Sequence, residues 1–142
     1  ALTSNTRQCL RSSATNCTLP PATRQRNPRL LTVPMVSALS VSLLGPTFLR
    51  RAVGNLFAQL YSNLELVIVH DAWDASAADV AAKAREWSRQ RALQERTIPS
   101  VAIAVNHNRS ARLGDLRNLA VSSASGMYVI QWDDDNLYDP RR

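Results

Sequence analysis

From Met35 onward the apolar positions fall into two alternating kinds of run. Met35-Val36-Ser37-Ala38-Leu39-Ser40-Val41 is short and mostly apolar, as a buried strand would be. Gly45-Pro46 then marks a turn into a helix, with Pro46 suited to the first turn. Phe48, Leu49, Ala52, Val53, Leu56, Phe57 and Leu60 recur at helical spacing and predict one buried stripe. Leu66-Val67-Ile68-Val69 is an unbroken apolar run, the mark of a strand covered on both faces. A longer helix is expected from a capping box at Ser76 and Asp79 to about Glu95, with Val80, Ala84, Trp87 and Leu93 near one face. Val101-Ala102-Ile103-Ala104-Val105 predicts a third strand, and Leu113, Leu116, Leu119 and Ala120 a third helix. After Gly126, Met127 to Trp132 predict a fourth strand. Strands near 35–41, 65–70, 100–105 and 127–132 with three helices between them spell an open α/β domain with a mainly parallel sheet.

Residues 1–33 have no such period. They are rich in Ser, Thr, Asn, Pro and Arg and predict a flexible tail or linker ahead of a folded part over 34–142. The net charge of +6 is almost all arginine, because Lys83 is the sole lysine. No basic helix face with interleaved aromatics appears, which argues against a nucleic-acid partner. Arginines also suit the phosphates of a small ligand or anionic lipid headgroups. Cys9 and Cys17 make no disulfide framework, and no His or Cys cluster has zinc spacing. No apolar run is long enough to span a bilayer and no leader is visible, so the expected place is the cytoplasm, with peripheral membrane contact allowed by the charge.

Candidate chemistry collects where an open α/β sheet binds ligands, beyond the carboxyl ends of its strands. Asp71 follows the second strand, and Asp133-Asp134-Asp135 follows the fourth. Three adjacent carboxylates repel one another, and a bound cation relieves that cost. Manganese and magnesium favour oxygen ligands and are often held by one or two carboxylates together with substrate phosphates. A solvated acidic turn fits the same residues. Asp71 suits either a hydrogen bond to a nucleotide or a turn. Arg112 and Arg117, on one helix, suit a diphosphate or plain exposure.

These residues carry a resemblance. Val36-Ser37, Gln59-Leu60-Tyr61, Asn63-Leu64-Glu65, Val67-Ile68-Val69 and Asp71 resemble the opening of a family-two glycosyltransferase domain of the GT-A fold. Gly114-Asp115-Leu116-Arg117-Asn118, and then Gly126 through Asn136 with Tyr138, Pro140 and Arg142, are similar to that family's Arg-Asn helix and its DxD-type strand end. The resemblance implies a donor site for a nucleotide-diphosphate sugar. Asp71 would face the base, Asp134 the ribose, and Asp135 would ligate Mn2+ or Mg2+, with Asp133 able to replace either because the run allows two registers. Ser42, Arg112 and Arg117 would complete the nucleotide pocket. The implied reaction moves a sugar to an acceptor hydroxyl in one displacement, with a base expected beyond Arg142. Two departures stand out: Val41-Ser42-Leu43-Leu44 replaces the usual polar, aromatic stretch after the first strand, and His70-Asp71-Ala72-Trp73 replaces paired acids with Gly-Ser after the second.

The chain stops soon after the acidic run, so it reads as the donor-binding half of a domain truncated after that motif. Such a half is expected to expose apolar edges and self-associate. The alternative to an enzyme is a module, or inactive truncated copy, that binds nucleotide or nucleotide sugar without turnover.

Overall fold

The computed structural model describes residues 33–94 and 98–141. The expected tail over 1–33 therefore lies, except for Val33, outside the described residues. The elements run β1 (Val36–Val41), α1 (Pro46–Phe57), β2 (Leu64–Asp71), α2 (Ala75–Ala92), β3 (Ser100–Asn106), α3 (Leu113–Ser122) and β4 (Tyr128–Gln131). All four strands are parallel, in the order β3-β2-β1-β4. The alternating apolar runs thus give the open parallel sheet that their pattern predicts.

Side-chain alternation sorts the core into two layers. Ala38, Leu66 and Ile68 face α1 and α2, meeting Leu49, Ala52, Leu56, Val80 and Ala84. Leu39, Val41, Val67 and Val69 face α3, meeting Leu116 and Ala120. β2 is buried on both faces, which is why its sequence shows no polar alternation.

Several local expectations are corrected. Asp74, not Ser76, caps α2: its carboxylate accepts from the Ser76 and Ala77 N–H groups and the Ser76 hydroxyl. Those bonds, from Ala77 first, hold the Asp74 carboxyl below its usual range despite some burial. The helix ends at Ala92, short of Glu95, and its C-cap Leu93 is 89% exposed. Trp87 and Leu60 are also exposed, so the stripes on α1 and α2 are narrower than predicted; Ala77, Ala81 and Ser88 take the buried positions beside Val80 and Ala84. On α1, Gly45 adopts φ 93°, a left-handed conformation that favours glycine, and this lets the chain leave β1 and enter the helix at Pro46.

At the amino end of the sheet a buried carboxylate ties the edge strand down. Glu65 accepts hydrogen bonds from the Ser37 hydroxyl, the Ser125 N–H at 2.9 Å and the Ser125 hydroxyl, while Ser37 Oγ accepts from the Gly126 N–H at 2.8 Å. Gly126 sits so close that a Cβ there would lie 2.5 Å from Ser37 Oγ and 2.7 Å from Ser37 N. Burial alone would raise the Glu65 carboxyl, but these donors together outweigh it and hold the group below its usual range. Glu65→Ala strips the acceptor from three donors and is expected to cost about 3 kcal/mol in denaturant unfolding, with Glu65→Gln costing less. The sign of the pH dependence follows from the lowered value. The contribution is complete above the unfolded carboxyl's range and fades as pH falls below about 4, so the parent and Glu65→Ala converge in acid.

Candidate donor-binding site

The chain moves from β1 outward to β2 and β3 through α1 and α2, then crosses back under α3 to place β4 on the other side of β1. The strand order therefore reverses between β1 and β4, and a crevice opens at their carboxyl ends. A cleft of about 340 Å3 lies there, lined by residues including Leu43 and Leu44 after β1, Arg117 from α3, and Asp133, Asp134 and Asp135 after β4. Four of the seven predicted site residues thus share one cavity.

The segment after β4 is held by α1. Arg51 Nη2 donates to the Asp134 carbonyl at 3.1 Å, Asn55 Nδ2 to the Asn136 carbonyl at 3.2 Å, and Gln59 Nε2 to the Asp139 carbonyl at 2.9 Å. Arg51 and Asn55, spaced by four, share one side of α1, and Gln59 follows just past its end. Trp132, 1% exposed, donates its indole N–H to the Ala52 carbonyl and stacks on Tyr138 at 3.8 Å between ring centres. The Tyr138 hydroxyl in turn accepts from the Asp133 N–H at 2.8 Å.

The three aspartates have different surroundings. Asp133 accepts from Gln131 Nε2 at 2.8 Å and has Arg117 Nη2 at 3.7 Å. Asp135 is exposed. Asp134 is 5% exposed, and its Oδ2 has no hydrogen-bond partner in the protein. Burial first, then the charges of Asp135 and Asp133, push its carboxyl above the usual range, with the backbone N–H groups of Asp134 and Leu44 only partly compensating. A buried carboxylate oxygen without a partner, beside two further carboxylates, suits a bound ligand better than a solvated turn. Among the described residues no three or more His, Cys, Asp or Glu side chains are grouped so as to hold a metal ion by themselves.

Asp71 ends β2, two inter-strand spacings from the end of β4, about 10 Å across the sheet. It does not line the cleft. Its Oδ1 accepts from Asn106 Nδ2 at 2.6 Å, and buried Asn106 is braced by Asn108 through two further hydrogen bonds. Asn106, which holds the Asp71 carboxylate, was not among the predicted residues; a polar residue ending an apolar strand run, as Asp71 itself does, was the available signal. Beside Asp71, Trp73 is 44% exposed, with the Arg109 guanidinium 4.7 Å from its ring centre. Ser42 is buried next to the β1 end, and its Oγ has no partner. Arg112 is exposed and outside the cleft; its N–H donates to Asp115 Oδ2, so its backbone serves the start of α3.

Residues 42–142 match the profile of glycosyl transferase family 2. The chain belongs to that family. Among solved structures, it is similar to S. aureus TarS (residues 1–349), with 18% identity, a TM-score of 0.60, and coverage of 75% of this chain and 29% of that one. It is also similar to the mannosyltransferase PcManGT from Pyrobaculum calidifontis, solved in complex with GDP-Man and Mn2+, with 20% identity, a TM-score of 0.59, and coverage of 76% and 29%. At these identities the likeness is one of fold, and it bears out the GT-A-like expectation. This family-two chain spans less than a third of the length of those two proteins. No curated protein sequence matches it. No helix among its described residues is long and apolar enough to cross a membrane.

Proposed function

We propose that residues 34–142 form the donor-binding part of a glycosyltransferase and bind a nucleotide-diphosphate sugar across the carboxyl ends of β2, β1 and β4. The observation that carries this reading is the buried, unpartnered Asp134 carboxylate at the crevice where the strand order reverses. Asp135, with Asp133 beside it, would hold Mn2+ or Mg2+. When bound, such an ion offsets charge on the departing diphosphate. Arg117 reaches the same cleft and supplies a second positive group toward the phosphates, for which it would exchange its long contact to Asp133. Asp134 accepts from the ribose, and Asp71, fixed by Asn106, faces the base about 10 Å away across β1, a span that suits a nucleoside diphosphate. The mannosyltransferase relative, solved with GDP-Man and Mn2+, supports a nucleotide-sugar donor and a divalent ion.

Calorimetry with uridine diphosphate and guanosine diphosphate, each with and without manganese, tests the assignment. The parent chain is expected to bind more tightly with manganese. Asp135→Ala should remove that difference. Asp71→Ala should weaken binding in a base-dependent way, by about ten- to a hundredfold for a lost charged hydrogen bond, and leave the metal effect in place. A parent chain that binds neither nucleotide at millimolar concentration in manganese has no working donor site.

A further inference from the structure

The loops that follow β2 and β3 are tied into one rim. Asp71 and Asn106 are register partners at the ends of the two strands, and the bond from Asn106 Nδ2 to Asp71 Oδ1 joins their side chains. One residue on, the Ala72 N–H donates to the Asn106 carbonyl at 2.9 Å. Further out, the Arg109 guanidinium stands 4.7 Å from the centre of the Trp73 ring, so each loop supplies one half of a cation–π pair. Both residues are exposed. No hydrogen bond or ion pair holds that guanidinium to another described residue, so its N–H groups are available to a ligand. Asp71 is half-buried, and its Oδ2 accepts from no described residue. The rim thus carries a carboxylate and a guanidinium that do not pair with each other.

From this arrangement we infer that Asp71 and Arg109 select guanine, so that the nucleotide taken up by the chain is guanosine diphosphate; the inference rests on the donor-site reading above, in which Asp71 faces the base. A carboxylate only accepts hydrogen bonds and a guanidinium only donates them. Guanine answers both. Its N1–H and its 2-amino group are adjacent and meet the Asp71 carboxylate, while O6 and N7 are adjacent acceptors that an arginine fork grips. Uracil has a single N3–H between two carbonyls, so it offers the carboxylate one hydrogen bond and turns a carbonyl oxygen toward its other oxygen. Adenine sets its N1 acceptor against the carboxylate and its amino group against the arginine. Trp73 is a positioning residue here: its ring holds the guanidinium by the face and leaves the N–H groups for the base. Asn106 does the same for the carboxylate, through one oxygen only.

Calorimetry of the full 142-residue chain in manganese tests this with guanosine, uridine and inosine diphosphates and with 7-deazaguanosine diphosphate. Guanosine diphosphate is expected to bind about ten- to a hundredfold more tightly than uridine diphosphate, the worth of one hydrogen bond to a charged group. Inosine diphosphate, which lacks the 2-amino group, should lose about tenfold, and so should the 7-deaza compound, which lacks N7. Arg109→Met should make guanosine diphosphate and its 7-deaza analogue bind alike. Trp73→Ala should shrink the ratio of guanosine to uridine diphosphate affinity, and Trp73→Phe should restore it. Circular dichroism confirms that the variants remain folded. Uridine diphosphate binding as tightly as guanosine diphosphate, or both modified bases binding as guanosine diphosphate does, overturns the inference and leaves the donor site standing. So does an Arg109→Met variant that still separates guanosine diphosphate from its 7-deaza analogue. Binding of none of the four overturns the donor-site reading, and this inference falls with it.

Discussion

Trp132→Ala is expected to cost about 3–5 kcal/mol, a large share of the stability of a domain of this size. Among the described residues the indole is the largest fully buried side chain, and it joins β4 to α1 through the Ala52 carbonyl and to Tyr138 by stacking. No neighbour on the short edge strand β4 can close the resulting cavity, because β4 itself is half-exposed. Trp132→Phe keeps a ring against Tyr138 and loses the indole hydrogen bond, so about 1–2 kcal/mol is expected. Urea unfolding followed by far-ultraviolet circular dichroism reads both. A Trp132→Ala midpoint within experimental error of the parent would mean that the loop after β4 is held by the Arg51, Asn55 and Gln59 hydrogen bonds alone. The substitution also reaches the site, since Tyr138 fixes the Asp133 N–H and with it the turn that presents the aspartates.

Asp134→Asn should act in opposite directions on stability and on binding. The parent carboxylate is buried, lacks a partner at Oδ2 and is raised by desolvation and by two adjacent aspartates. Removing its charge should stabilise the free chain by about 1–2 kcal/mol at neutral pH, several degrees in Tm for a domain of this size. An acid whose folded value is raised carries no penalty below its unfolded range, and the penalty grows as pH rises through the folded value. The gain from Asp134→Asn should therefore be present at pH 7 and vanish in acid. Nucleoside diphosphate binding in manganese should fall about ten- to a hundredfold in the same variant. Such a trade of stability for function is the usual mark of a binding site. A variant that gains no stability, or that binds as the parent does, would sink the assignment of Asp134 to the donor site. Thermal melts at neutral and acid pH, paired with calorimetry, separate the two effects.

The architecture was legible because each run of apolar residues carries its own period. Val67-Ile68-Val69 reads as a strand covered on both faces, and Leu49, Ala52 and Leu56 read as one stripe of a helix. Those local patterns determined four strands, three helices, a parallel sheet and an acidic turn at a strand's carboxyl end. Helix boundaries were less legible. Asp74 competes with Ser76 for the cap, and the choice depends on which N–H groups the turn after β2 leaves free. Trp87 and Leu93 match a helical stripe by spacing alone, but Trp87 meets α1 only edge-on at Phe57 and Leu93 stands past the helix end. Only the tertiary structure decided which strand lies beside which, because strand order is set by contacts distant in sequence. It is that order, β3-β2-β1-β4, that brings Arg117, Leu43 and Leu44 to the aspartates and sets Asp71 one strand further off. It also made three adjacent aspartates chemically unequal. Asp133 is tied to Gln131, Asp135 faces solvent, and Asp134 loses its water to the packing of α1 and the β1 loop, since desolvation belongs to the assembled surface and not to the residue.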